Sequence, residues 1–197
     1  MKAPDPARRS ERARIGVLES TLALCAEEGF ARVTVEGIAE RAGVSKKTIY
    51  RWWTSKGEIL LEAAIGLAEA RASFPDSGDL RRDMCEQLET VIDMLSPQET
   101  SPIASLLAEA QRDPDLGAAV RDQLIQPFID LFDERMRAAI ATGELPDDTD
   151  LDIAVDLFYG PIYHRLVFRL GLPDEAHVRA VVDHVIAALR SDHRSAT

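Results

Sequence analysis

The chain has 197 residues, of which 46% are hydrophobic, so it is long and apolar enough to bury a core and is not compositionally disordered. Its two cysteines, Cys25 and Cys85, form no C-x-x-C pair, so neither a zinc knuckle nor a disulfide framework is suggested. Taken alone, the net charge of −11 argues against a nucleic-acid binder, an inference that the distribution of the charge reverses.

The charge is unevenly distributed along the chain. Residues 1–57 contain 11 Lys and Arg against 7 Asp and Glu, whereas residues 58–197 contain 12 against 27. A small basic segment followed by a large acidic one predicts that the N-terminal part holds a polyanion, which the remainder repels. No apolar run reaches the length of a membrane span, and no apolar region follows the basic N-terminus as in a secretory signal. A cytoplasmic protein with no membrane partner is expected.

Helical periodicity dominates the sequence, and no strand alternation is evident. The predicted fold class is therefore all-α, with about nine helices. The first helix carries apolar residues at three- and four-residue spacing and is expected to end at Gly29 in a left-handed cap. These residues are Ile15, Leu18, Leu22 and Cys25.

Three further helices follow in the N-terminal part. Thr34 is the candidate N-cap of a short second helix, and Ser45 is the candidate N-cap of a third that reaches about Trp53. Ser55 with Glu58 three residues later is a capping box, which opens a longer fourth helix.

Prolines punctuate the rest of the chain. Pro102 and Pro114 stand at first-turn positions of two helices, and Pro127 is expected to kink the second of them. Thr149 is the candidate cap of the next helix, and Pro173 is expected to begin the last one.

The second and third helices have the features of a helix-turn-helix. Gly43 falls at the turn, where a positive φ is cheapest for glycine, and the small Ala39 lets the helices approach closely. The third helix presents hydrogen-bond donors for phosphates and base edges. They belong to Lys46, Lys47, Thr48, Tyr50 and Arg51. The alternative interpretation is a solvated basic face on an ordinary helical hairpin.

Residues from about 12 to 67 resemble the DNA-binding domain of TetR/AcrR-type transcriptional regulators. The resemblance lies in the glycine and aromatic of "EEGF", the "T-x-x-x-I-A-x-x-A-G-V-S" run, the "I-Y" pair and the "S-K" before the fourth helix. Later stretches, "LLAEAQRDPDL", "GELPDDTD" and "DLFYGPIYHRL", look like one large branch of that family.

The resemblance implies a two-domain homodimer. Residues 1–54 would form a three-helix DNA-binding domain whose arm, 1–10, is expected to be disordered. The fourth helix would link it to a C-terminal helical bundle for ligand binding and dimerisation, assigned to 55–197. A turn-rich linker lies at 73–79.

The chain departs from the family pattern at two adjacent tryptophans. Where the family has a His or Tyr followed by Phe, this sequence has Trp52 and Trp53. Trp53 is expected to be buried in place of the phenylalanine. Trp52 would face the DNA backbone and donate its indole N–H to a phosphate, or would pack in the core. Gly57 also stands where a better helix former is common.

The resemblance implies base contacts from the start of the third helix and backbone contacts from the residues that follow. Thr34 would approach a phosphate or act only as a cap. The predicted DNA-binding residues are Thr34, Ser45, Lys46, Lys47, Thr48, Tyr50, Arg51, Trp52 and Lys56.

The last two helices are predicted to form the dimer interface, since they carry apolar stripes at helical spacing. Its residues would be Ile153, Leu157, Ile162, Val178, Val181, Val182, Val185, Ile186 and Leu189. The alternative is that the stripe is buried within one subunit.

An apolar pocket for a small lipophilic effector is predicted in the C-terminal part, with core packing as the alternative role of each residue. Its candidate lining is Met84, Leu88, Leu106, Phe128, Phe132, Phe158, Tyr159, Tyr163 and His164.

The predicted function is a repressor that is released from a palindromic double-stranded DNA operator by such a ligand. The alternatives are a helical protein-interaction module and an enzyme on a helical scaffold. An enzyme needs a nucleophile with a base or a metal cluster, and neither is evident. His177 and His184 lack a third ligand, so no catalytic residue, cofactor or metal is expected.

Overall fold

The computed structural model describes residues 6–71 and 74–191. All regular structure in these ranges is helical, as predicted. The elements are α1 (Pro6–Glu28), α2 (Val35–Ala42), α3 (Lys46–Ile49), α4 (Lys56–Glu69), α5 (Leu80–Met94), α6 (Pro102–Ala110), α7 (Pro114–Val120), a π-helical turn (Arg121–Ile125), α8 (Gln126–Ala141), α9 (Leu151–Val167) and α10 (Glu175–Ser191). Because α7, the π turn and α8 are continuous, the described ranges contain nine uninterrupted helices. None of these helices has both the length and the apolar character needed to cross a membrane.

The three N-caps predicted for the helices of the N-terminal part are present. The hydroxyls of Thr34 and Ser45 each accept a hydrogen bond from the backbone N–H three residues later, at 3.1 Å. Ser55 caps α4 in the same way at 3.2 Å. The Glu58 carboxylate is the other half of the predicted capping box. It accepts its hydrogen bonds from the backbone N–H and the hydroxyl of Thr54, the residue before Ser55. The cap therefore also holds the residue before Ser55.

Three predicted helix boundaries are wrong by a few residues. The α-helical part of α3 ends at Ile49, four residues earlier than expected, and the chain continues in turns. Asp150, not Thr149, caps α9, because its carboxylate accepts from a backbone N–H of the first turn. α10 begins at Glu175 rather than at Pro173.

The predicted disorder of the N-terminal arm falls partly outside the described residues. Residues 1–5 lie outside them, whereas 6–10 already belong to α1. A π-helical turn precedes Pro127, where the sequence predicts a kink, and it ends two residues before that proline.

The helices pack into two compact units. The first contains α1 to α4 with α6 and α7, and the second contains α5, α8, α9 and α10. These packing units do not coincide with the predicted division at residues 54 and 55, because α6 and α7 pack with the N-terminal helices. Leu106, a predicted pocket residue on α6, is completely buried and belongs to the first unit.

Gly57 has a packing role within the first unit. A Cβ at this position would lie 2.9 Å from Cδ2 of Leu116 on α7. The missing side chain therefore lets α4 and α7 approach closely, which accounts for a poor helix former in the first turn of α4.

A buried ion-pair cluster organises the second unit. Arg135 on α8 donates to the Asp83 carboxylate on α5 at 2.8 Å and to Glu144 at 3.2 Å, and Asp83 is completely buried. The Asp83 carboxylate also accepts from the backbone N–H and hydroxyl of Ser77, and Glu144 accepts from the backbone N–H of Leu80. The cluster thereby fixes the start of α5 to α8 and to the loop after it.

Candidate nucleic-acid interface

The turn between α2 and α3 has the geometry that the sequence predicts. Gly43 has a φ of +64° and ends α2 in the left-handed conformation. The N–H of Val44 then donates to the carbonyl of Ala39 at 3.0 Å. Ile38 and Ile49 are almost fully buried, so they fix the two short helices against the rest of the unit. The exposed face of α3 is held in place by this core.

Lys46, the first residue of α3, is engaged in an ion pair. Its Nζ lies 2.7 Å from a carboxylate oxygen of Glu36 on α2, and both side chains are more than half exposed. Hydrogen bonding to Lys46 lowers the pKa of Glu36, and the same contact raises the pKa of Lys46. Lys46 must therefore exchange this carboxylate for a DNA group if it is to make the predicted base contact.

Lys47 and Tyr50 are the freely presented residues of this face. Both are exposed, Tyr50 to 54%, and neither side chain has a hydrogen-bond or ion-pair partner among the residues that the structure describes. The Thr48 and Ser45 hydroxyls lie 2.9 Å apart and share one hydrogen bond, which leaves further hydrogen-bonding capacity on each.

Arg51 lies along α1 and over Trp52. Its Nη2 donates to the hydroxyl of Ser10 on α1 at 3.2 Å, and its guanidinium carbon lies 4.7 Å from the centre of the Trp52 ring. Trp52 itself is half-buried and packs edge-to-face on Trp53, with ring centres 5.4 Å apart. The indole N–H of Trp52 has no partner within the described ranges, so the predicted phosphate contact stays a prediction.

Trp53 occupies the core, with 4% of its surface exposed. Its indole N–H donates to one carboxylate oxygen of Glu62 on α4 at 2.8 Å, and the other oxygen lies 2.5 Å from Arg14 on α1. A phenylalanine would have no N–H to satisfy, whereas a buried indole N–H needs an acceptor. Glu62 supplies that acceptor, and nothing in the local sequence pattern pointed to Glu62 or Arg14.

Lys56 has a structural contact that the sequence did not predict. Its Nζ donates to the backbone carbonyls of Phe30 and Val33 at 3.2 and 3.1 Å, and it lies 4.5 Å from the centre of the Phe30 ring. The lysine therefore ties the α1–α2 connection to the start of α4 instead of standing free. One N–H of the ammonium group remains for a phosphate.

Most of the predicted dimer stripe on α10 is buried within the single chain. Val178, Val182, Val185 and Ile186 are each at most 7% exposed in the single chain, so they pack within the protomer. Ile162 on α9 is buried in the same way, and Val181 and Leu189 are half-buried. Of the predicted interface residues, the exposed ones are Ile153 and Leu157. The buried residues of this stripe already pack within one chain, and the predicted interface stays a prediction.

The predicted pocket residues of the second unit form one aromatic cluster. The Phe132 ring lies 6.0 Å from Phe158 and 5.8 Å from Tyr159, and Phe128 lies 5.9 Å from Tyr159, all edge-to-face. Met84 and Leu88 are buried, and Tyr163 is half-buried. His164 is exposed and contacts the ring of Phe168, so it does not join the cluster.

The short α2 and α3, the left-handed turn between them and the cationic, exposed start of α3 define a helix-turn-helix DNA-binding protein. Residues 17–63 match the family described as bacterial regulatory proteins of the tetR family, and residues 74–185 match the tetracyclin repressor-like C-terminal domain. The chain belongs to the TetR family of transcriptional regulators.

Similar proteins cover nearly the whole chain. An uncharacterised HTH-type transcriptional regulator, YdeS of Bacillus subtilis, is 32% identical over 88% of each chain. A DNA-binding transcriptional repressor, TetR of Mycobacteroides abscessus, is 29% identical over 92% of this chain and 95% of its own. The crystal structure of the TetR family regulator SCO0332 has a TM-score of 0.74 and 34% identity, covering 89% of this chain and 97% of that one.

Proposed function

We propose that this regulator is a cytoplasmic repressor that binds a palindromic operator as a homodimer and leaves it when a small lipophilic ligand binds. The observation that carries the proposal is the exposed start of α3, held by a buried core in the orientation of a recognition helix. A repressor among the similar proteins supports the direction of regulation.

Lys47 and Tyr50 are the proposed principal contacts of α3, because both side chains are exposed and have no partner within the described ranges. Lys47 would contact a base edge or a phosphate as a charged donor, and Tyr50 would donate its hydroxyl to the backbone. Trp52 would donate its indole N–H to a phosphate. Lys46 would contribute only after leaving Glu36, which limits its share of the affinity.

The exposed apolar stripe on α9 is the proposed dimer face. Ile153 is 52% exposed, Leu157 39% and Val167 71%, and their spacing places them on one side of the helix. His164, also exposed, lies on the same side. A self-complementary stripe of this kind suits a twofold interface, and twofold symmetry matches two operator half-sites.

DNase footprinting of the DNA upstream of the protein's own gene tests the proposal. A protected palindrome is expected for the wild-type chain and not for Tyr50→Ala, while both proteins elute as dimers in size-exclusion chromatography. Leu157→Glu is the complementary variant, because it should give monomers and weaken protection with α3 unchanged. Protection by Tyr50→Ala equal to that by the wild-type chain would refute the proposed DNA contact.

A further inference from the structure

The core of the second unit contains an unpartnered hydroxyl. Tyr159 on α9 is 6% exposed, and its Oη has no hydrogen bond of acceptable geometry with any residue that the structure describes. Burial raises the pKa of Tyr159, and the neighbouring Gln87 side chain partly offsets this effect. Buried polar groups in folded proteins are almost always hydrogen-bonded, so an exception calls for an explanation.

The surroundings of this hydroxyl are aromatic and uncharged. The rings of Phe128 and Phe132 lie edge-to-face on Tyr159 at 5.9 and 5.8 Å, and Gln87 is itself only 3% exposed. The nearby buried charges on α5 and α8, Asp83 and Arg135, already pair with each other at 2.8 Å. Within the part of the chain that the structure describes, the cluster therefore offers one free hydroxyl and one amide within apolar walls, and the buried charges of Asp83 and Arg135 are paired.

Two of the helices that carry this cluster have interrupted hydrogen-bond ladders next to it. The π-helical turn Arg121–Ile125 ends three residues before Phe128. Pro161, two residues after Tyr159, lies inside α9 and has no N–H to donate to the carbonyl one turn earlier. Such interruptions let a helix segment shift without breaking a regular ladder. A molecule that enters the cluster would have to separate the aromatic side chains, and the two interruptions lie where such a movement would be needed.

We propose that the Tyr159 hydroxyl, with the Gln87 amide beside it, anchors the effector, and that the effector is an uncharged, mainly apolar molecule carrying a hydrogen-bond-accepting oxygen. The hydroxyl donates to that oxygen, and the aromatic side chains hold the apolar remainder. A charged head group is disfavoured because burying a charge without a counter-charge is costly. The effector role of this molecule rests on the proposed function, whereas its binding at Tyr159 does not.

Two probes of matched shape test the anchor by isothermal titration calorimetry on the full-length chain. 2-Acetylnaphthalene has a carbonyl oxygen, and 2-ethylnaphthalene has none. The ketone is expected to bind about three- to tenfold more tightly, the range for one net hydrogen bond. Tyr159→Phe should abolish this preference and leave the hydrocarbon affinity unchanged. Thr90→Val, which removes a hydroxyl that donates to the carbonyl of Glu86 on α5, is the control and should keep the preference.

Thermal unfolding without ligand provides a second readout. Tyr159→Phe should melt at the same temperature as the wild-type chain or higher, because it removes an unpartnered buried hydroxyl. A lower melting temperature would show that the hydroxyl is already satisfied and would overturn the proposal. Failure of both probes to bind, or a ketone preference that survives Tyr159→Phe, would also overturn it.

Operator binding by the same proteins separates this proposal from the proposed function. Ketone binding that depends on Tyr159 supports the anchor even if no operator is bound, in which case the repressor proposal fails. Operator release by the ketone in the wild-type chain, and its loss in Tyr159→Phe, supports both.

Discussion

Replacing Glu62 by alanine should destabilise the DNA-binding helices through the buried indole of Trp53. The Trp53 N–H lies 2.8 Å from the Glu62 carboxylate, and Trp53 is 4% exposed, so the substitution leaves a buried donor without a partner. An orphaned donor costs about 1–3 kcal/mol. The lost pair with Arg14 adds at most about 1 kcal/mol, because both side chains of that pair are about one-third exposed. A total loss of about 1–4 kcal/mol in the free energy of unfolding is expected.

Urea unfolding followed by tryptophan fluorescence measures this loss where it occurs, because both tryptophans of the chain lie directly after α3. A double-mutant cycle isolates the indole contribution. In a Trp53→Phe background no indole N–H remains at position 53, so Glu62→Ala should cost only the Arg14 contribution, and Trp52 still reports unfolding. Glu69→Ala, an exposed position at the end of α4, is the matched control and should cost less than about 0.5 kcal/mol.

The coupling energy of this double-mutant cycle shows whether the Glu62 carboxylate serves the indole of Trp53. A value of about 1–2 kcal/mol is expected. If Glu62→Ala costs the same in the wild-type and Trp53→Phe backgrounds, the carboxylate does not serve the indole, and the explanation for a tryptophan at this position is wrong.

Three further predictions concern an exposed lysine, a buried ion pair and two buried phenols. Lys47→Ala should weaken operator binding and reduce the slope of log Kd against log salt concentration by about one. Anisotropy titrations over a salt series measure this slope, and an unchanged slope would exclude a phosphate contact. Asp83→Ala should lower the free energy of unfolding by about 3–5 kcal/mol, because it leaves Arg135 buried beside a missing partner. The double variant Asp83→Leu with Arg135→Met should cost much less in thermal or urea unfolding. Equal costs for the two proteins would contradict a buried pair. Burial raises the pKa of Tyr159 and of Tyr163, so the unfolded chain releases these protons first, near its ordinary tyrosine pKa of about 10. The contribution of the two phenols to stability is therefore present below about pH 10 and is lost as the pH rises further. A melting temperature that stays constant between about pH 9 and 11 would contradict this prediction.

The sequence predicted the features that depend on neighbouring residues. The caps at Thr34 and Ser45 and the left-handed turn at Gly43 follow from local hydrogen bonding and backbone sterics, so they could be identified from short motifs. The same local reasoning missed Asp150 by one residue, since Thr149 and Asp150 are both acceptable caps.

Contacts between distant segments were not accessible to that reasoning. The pairing of Lys46 with Glu36 and of Lys56 with backbone carbonyls depends on how α2, α3 and α4 pack, and both pairings engage cations of the predicted DNA-binding set within the protein. Charge composition alone therefore overstated the number of free cations near α3.

The apolar faces of α9 and α10 show a second limit. Periodicity shows that a helix face avoids water, but it does not show whether the partner belongs to the same chain or to another copy. Val182 is fully buried within the protomer, whereas Ile153 is 52% exposed, although both were assigned to one interface. The distinction depends on α5, which covers the apolar face of α10 within the chain.

The most direct test of the assignment of α3 as a recognition helix is the affinity for a defined operator. The Kd of the full-length chain should be measured by fluorescence anisotropy for the footprinted duplex and for a scrambled duplex of the same composition, over a salt series. The footprinted duplex should bind at least about a thousandfold more tightly at physiological salt, and both affinities should fall linearly on logarithmic axes. Equal Kd values for the two duplexes at every salt concentration would contradict sequence recognition by α3.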